Sequence, residues 1–148
     1  MTRNELIKLV HLAIISYDNK ILLMKRANTS AFAGYFALPG GKIDRNESPK
    51  IAAQREAREE IGILPRLDEI DLILSPYYSE NLENKEKYLN YFYRINNFIG
   101  IISNKEPHLC KKLAFFSFDN IPQPIVPFIK PCLENLMQLI IKKNAKDT

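Results

Sequence analysis

Residues 41 to 62 read GKIDRNESPKIAAQREAREEIG, and the second half of the stretch packs Arg55, Glu56, Arg58, Glu59 and Glu60 into six positions. On a helix, Glu59 and Glu60 stand three and four residues beyond Glu56, so the three carboxylates project from one side within a single turn. Like charges at this spacing repel by about 0.2–0.5 kcal/mol per pair in water, and by more where the face is shielded. Something positive must answer them. Arg55 and Arg58 supply one answer: Arg55 and Glu59 form an i, i+4 pair, and the helix would then be a salt-bridged, solvated face. A divalent cation is the other. Clustered carboxylate oxygens suit Mg²⁺ or Mn²⁺, hard ions that keep several waters and bridge to substrate phosphates. The preceding LPGG, residues 38 to 41, favours the cation, because a glycine turn lets backbone approach a metal or an anion closely.

These residues must be held by the elements around them. Ser48 followed by Pro49 predicts a helix start, with Ser as N-cap and Pro in the first turn, and Gly62 predicts its end. The charged cluster therefore sits on one helix. Upstream, the apolar runs Leu6 to Ser16 and Ile21 to Lys25 flank the turn YDNK and predict two strands joined as a hairpin. A loop over residues 27 to 34 leads to YFALPGGKI, whose Pro39, Gly40 and Gly41 call for a tight turn. Downstream, residues 68 to 78, residues 87 to 99 and Leu113 to Phe118 predict further strands. Leu133, Leu136, Met137, Ile140 and Ile141 repeat at helical spacing behind Pro131, an amphipathic helix laid on the core, and the terminal KNAKDT predicts a frayed tail. Strands mixed with two helices imply an α/β chain with helices on the faces of a mixed sheet.

The composition narrows the class. At 148 residues with 46% hydrophobic and 26% charged content, the chain is expected to form one domain, residues 1 to 148, with a full core. Its apolar runs are far short of a membrane span, and MTRNE is no signal peptide, so a cytoplasmic protein is expected. Cys110 and Cys132 have neither zinc-site nor disulfide spacing. The net charge of +4 is mild, without basic blocks or interleaved aromatics, which argues against polymeric nucleic acid as a partner.

Gly41, Glu47 and the run REAREEIGI from Arg55 to Ile63 fill every fixed position of the pattern Gx5Ex7REUxEExGU, where U is aliphatic or small. On this box, residues 41 to 63, the chain resembles a Nudix hydrolase, a MutT-like small bacterial member. The resemblance implies an α/β/α sandwich with a mixed central sheet, the box forming loop, helix and loop. It implies hydrolysis of a pyrophosphate bond in a nucleoside diphosphate linked to another group X, with Mg²⁺ or Mn²⁺ as cofactor. By position, Glu59 and Glu60 would be metal ligands, with the Gly41 carbonyl a further one. Glu56 would be a ligand or the base that takes the proton from water. Arg55 would hold these carboxylates in place and Glu47 would orient that network.

Members often add a carboxylate from a later loop, and Glu106 in NKEP is the candidate here, with Glu80, Glu83 and Glu86 as rivals. Arg26 and Gly40 would contact the substrate's phosphates. His108 and His11 are read as ordinary polar or partly buried residues, and Phe36, Tyr77, Tyr78, Tyr91 and Phe115 as packing before base stacking. The chain shows no extra N-terminal segment of the kind many ADP-ribose hydrolases use to dimerise, which puts a nucleoside triphosphate first among substrates. Nucleotide sugars and dinucleoside polyphosphates follow, then a non-catalytic nucleotide-binding module of the same fold. The partner expected is a small nucleoside diphosphate derivative, with a homodimer as the candidate assembly.

Overall fold

The computed structural model describes residues 6–146. Its strands are β1 (Leu6–Ala13), β2 (Lys20–Arg26), β3 (Phe36–Ala37), β4 (Gly40–Lys42), β5 (Ile70–Leu72), β6 (Tyr77–Glu80), β7 (Lys87–Ile95) and β8 (Cys110–Ser117). Two helices, α1 (Pro49–Ile61) and α2 (Lys130–Lys146), complete the order, α1 falling between β4 and β5 and α2 after β8.

The strands form two sheets. The mixed one runs β4-β1-β7-β5, with β6 also on β7, and the second, antiparallel, runs β3-β2-β8. In the first, β1 and β7 are parallel from Leu6 opposite Lys87 to Ala13 opposite Arg94. Period-2 alternation divides the apolar residues between two cores. Val10, Leu12 and Ile14 pack against Ala52, Ala53, Ala57 and Ile61 of α1. Ala13, Ile21, Leu23 and Phe92 pack with Cys132, Leu133 and Leu136 of α2. The strands thus lie between the helices, the α/β/α arrangement expected, and both free cysteines are buried.

Several boundaries depart from the sequence expectations. The YDNK turn forms, closed by the Ser16 N–H to the Lys20 carbonyl at 2.8 Å. Its flanking strands nevertheless part after the Ile15–Ile21 bridge and enter different sheets. Both are apolar on two faces, and each finds a longer partner elsewhere, β1 along β7 and β2 along β8. Residues 68 to 78 do not form one strand: a 3₁₀ turn at Leu67–Glu69 and β5 are separated from β6, where Pro76 has no N–H for a ladder. The strand expected over 87 to 99 ends at Ile95, and Ile99 only bridges Leu64. The next begins at Cys110 rather than Leu113. Lys143 to Lys146, expected to fray, are helical, with lysines at the end of α2 where the helix dipole favours positive charge. The last two residues of that tail lie outside the described residues. Among the described residues no helix is long and apolar enough to cross a membrane.

Candidate active site

Helix α1 is fixed at both ends as the sequence predicts. Ser48 caps it, its hydroxyl accepting from the Ile51 N–H at 3.3 Å. Gly62 closes it in a left-handed turn at φ 74°, with its N–H donating to Arg58 and the Ile63 N–H to Ala57. Two further carbonyls of the last turn, of Glu60 and Ile61, accept from the N–H groups of Lys105 and Ser103 at 3.1 and 2.9 Å. Those bonds bring the loop that carries Glu106 to the acidic end of the helix.

Arg55 is the organising cation. Its Nε donates to Glu47 Oε2 at 2.7 Å and one Nη to Glu47 Oε1 at 2.9 Å, a two-pronged ion pair. The same Nη reaches the Lys42 carbonyl at 2.9 Å. The other donates to Glu59 at 3.0 Å and Glu56 at 3.2 Å. The Arg55 bond, more than any other contact, holds the Glu47 carboxyl below its ordinary range, and Glu47 in return raises the guanidinium's pKa. The Asp44 N–H also donates to Glu47, at 2.9 Å. The salt-bridged reading of the helix therefore accounts for Glu47 and Glu59.

Glu56 shares Arg55 with Glu47 and Glu59, and Glu60 makes no ion pair among the described residues. Burial pushes the Glu56 pKa up, with Arg55 opposing and Glu59 and Glu106 reinforcing. Glu60 is 9% exposed, and burial, with the charges of Glu56 and Glu106, drives its pKa to about 8 against the Gly40 N–H and Arg26. Its Oε1 accepts from that N–H at 2.9 Å. Two desolvated carboxylates, both with raised pKa, crowd beside Glu106, and every donor is a hard oxygen, so the residues fit a hard divalent cation. Among the described residues no three His, Cys, Asp or Glu side chains form a ready cage. Mg²⁺ does not require one, because it binds through one or two carboxylates and completes its shell with water and phosphate.

The glycine turn is shaped by two close approaches. A Cβ on Gly40 would stand 2.0 Å from the Val10 carbonyl oxygen, and one on Gly41 would stand 2.5–2.6 Å from the Glu56 carboxyl atoms. Gly40 thus lets β4 lie against β1, and Gly41 lets the backbone touch the acidic face of α1.

Beside the turn lies a cavity of about 300 Å³ whose walls include Arg26, Gly40, Gly41, Glu60 and Glu106. Arg26 is half-buried, donates from Nε to the Ala31 carbonyl at 3.2 Å, and feels both Glu60 and Tyr88. Of the set named from the sequence, Arg26, Gly40, Gly41, Glu60 and Glu106 line the cavity, and Glu47, Arg55, Glu56 and Glu59 form the ion-pair cluster that meets it at Gly41. Of the rivals to Glu106, Glu80 accepts from the exposed Tyr78 hydroxyl and Glu83 sits in an exposed turn, whereas Glu86 lines the cavity. The five aromatics weighed for stacking do not line it; Phe32, Tyr88 and Phe128 do. His11 also lines it. No signal in the sequence marked His11, because it lies inside an apolar strand, or Phe128, because its position depends on the segment before α2.

A family model described as the NUDIX domain matches residues 8–136. An ADP-ribose pyrophosphatase of Methanocaldococcus jannaschii is 33% identical over 110 residues, 74% of this chain and 62% of that protein. A CTP pyrophosphohydrolase of Escherichia coli is 49% identical over 51 residues, 34% of this chain and 38% of that protein. The chain thus spans less than two thirds of the length of either relative. The crystal structure of a MutT NUDIX hydrolase from Burkholderia pseudomallei superposes with a TM-score of 0.80 at 30% identity, covering 89% of this chain and 98% of that one. With the matched domain spanning most of its length and the acidic helix, glycine turn and cavity in one place, the chain belongs to the NUDIX domain family.

Proposed function

We propose that this chain is a pyrophosphohydrolase that uses Mg²⁺ or Mn²⁺ to cleave a nucleoside diphosphate linked to X, with a nucleoside triphosphate, giving monophosphate and pyrophosphate, as the first substrate class. The observation that carries the reading is the crowding of two desolvated carboxylates, Glu56 sharing Arg55 with two other glutamates and Glu60 with no ion pair among the described residues, beside a cavity that also holds Arg26. A nucleotide sugar is the second reading, favoured by the similarity to a protein named as an ADP-ribose pyrophosphatase.

Glu60 and Glu59 would hold the metal, with Glu106 and the Gly41 carbonyl as further oxygens, which leaves Glu56 for the proton of the attacking water. When bound, the ion would neutralise charge on the pyrophosphate oxygens and make a neighbouring water more acidic. Glu56, whose raised pKa brings it closer to neutrality, suits the base that takes the proton from the attacking water. Arg55 keeps Glu56 aimed through its 3.2 Å bond, and Glu47 keeps Arg55 aimed. Arg26 would take a phosphate oxygen of the substrate, and the Gly40 N–H would hold Glu60 in register.

The test is turnover of purified protein with Mg²⁺ on a panel of nucleoside triphosphates, nucleotide sugars and dinucleoside polyphosphates, with products resolved by chromatography. Two phosphorylated products from one compound identify the bond broken, and Glu56→Gln should lower that rate by at least about a hundredfold while the fold is kept. No turnover with either metal, or near wild-type turnover by Glu56→Gln, would overturn the reading.

A further inference from the structure

His11 is 7% exposed, lines the cavity, and stacks on Phe92 at 4.5 Å between ring centroids. Its Nε2 lies 2.8 Å from Asn90 Oδ1. The direction of that bond is determined. Asn90 is fully buried, and its Nδ2 donates to the Tyr77 carbonyl at 3.2 Å and the Ser79 hydroxyl at 2.8 Å. A carbonyl can only accept, so the amide nitrogen must face Tyr77 and the amide oxygen must face His11. Nε2 therefore carries the hydrogen, and Nδ1 carries a lone pair that has no partner among the described residues. Burial also holds the ring neutral, its pKa lowered to about 4, with Arg26 contributing.

Two hydroxyls of the cavity wall are already committed as donors. The Thr29 hydroxyl is committed to the Ala31 carbonyl at 2.9 Å, and the Tyr88 hydroxyl to Glu86 Oε1 at 3.0 Å. The other Glu86 oxygen accepts from nothing among the described residues. Phe128, tilted against His11 at 5.4 Å and against Tyr88 at 6.3 Å, gives the same wall a flat apolar surface. Ser30 and Lys42 stand on the cavity wall as donors, so the acceptors there are His11 and Glu86 and the flat surface is aromatic.

We propose that the cavity selects a nucleobase carrying an exocyclic amine over its oxo counterpart, and that His11 Nδ1 is the acceptor that makes the selection. This rests on the reading of the cavity as a nucleotide site. An amine donates to Nδ1, whereas a carbonyl oxygen set there would place two lone pairs against each other and leave both buried and unpaired.

The experiment is calorimetric binding of two matched pairs, CMP with UMP and AMP with IMP, each differing in one amine-for-oxo exchange, so that no hydrolysis is required. The amine member of each pair should bind on the order of tenfold to a hundredfold more tightly. In His11→Phe, which keeps a ring on Phe92, the ratio should fall below about threefold, a change that general loss of structure, acting on both members alike, would not produce. Glu86→Gln, at a partly exposed loop position, serves if His11→Phe fails to fold and should also lower the ratio by adding a donor. Equal binding within the pairs, a preference for the oxo member, or ratios unmoved in both variants would overturn the proposal. So would no binding of any of the four; the hydrolysis panel would still decide the pyrophosphohydrolase reading separately.

Discussion

Glu60 carries a charge that the fold disfavours, and this should be measurable as stability. Its pKa rises from 4.5 to about 8, through burial foremost. Between those values the folded chain holds a proton that the unfolded chain has released, so stability falls as pH rises through this window and levels off above it. At about 1.4 kcal/mol per pH unit, the cost of ionising Glu60 in the fold is on the order of 3–5 kcal/mol. Glu60→Gln is neutral throughout and keeps an oxygen for the Gly40 N–H. In urea denaturation with a chelator present, the variant should match wild type within about 1 kcal/mol at pH 5. At pH 9 it should be more stable by roughly 3 kcal/mol, or some 6–12 °C in Tm for a chain of this size. Glu56 titrates in both proteins, so the difference reports Glu60 together with its coupling to Glu56. Adding Mg²⁺ at pH 9 should restore stability to wild type and much less to the variant. If the two proteins run parallel across pH, Glu60 is not the desolvated charge described above, and the argument for a cation loses its main support.

The glycine turn separates structural from chemical effects. Gly40→Ala meets the backbone oxygen of Val10 and should lower stability by about 3 kcal/mol or more in thermal denaturation. Gly41→Ala meets only the end of the Glu56 side chain, so Tm should move by a few degrees while kcat falls at least about tenfold. Arg55→Lys keeps the charge but loses the two-pronged bond to Glu47; kcat should fall by about a hundredfold with a smaller change in KM, measured on whichever substrate the panel yields. The rate should rise between pH 6 and 9 as Glu60, its pKa raised to about 8, loses its proton, and a flat profile would place the limiting step outside chemistry.

The acidic helix was legible because its information is local: Ser48, Pro49 and Gly62 bound it, and the spacing of Glu56, Glu59 and Glu60 sets their common side. The turn at 39 to 41 was legible for the same reason. The partners of β1 and β2 were not, since both strands are apolar on two faces and alternation does not say which distant strand each will meet. Pro76 could have warned that residues 68 to 78 break. His11 was passed over because a histidine in an apolar strand takes its meaning from Asn90, and Asn90 from Tyr77 and Ser79, contacts that only the folded sheet creates.

The parallel pairing of β1 with β7 also bears on how the chain is made. Leu6 meets Lys87, so roughly 80 residues must leave the ribosome before the centre of the mixed sheet can close. At about 5–20 residues per second this interval is on the order of 4–16 s. The turn and the acidic helix can form in that time, since β4 reaches β1 on its other edge. The β7 edge of β1, with Val10 and Leu12 beside it, stays open until then. A nascent or truncated chain ending before β7 would carry most of its chemical groups and still present an apolar strand edge to its neighbours, which makes the timing of β7 a control on aggregation as well as on activity.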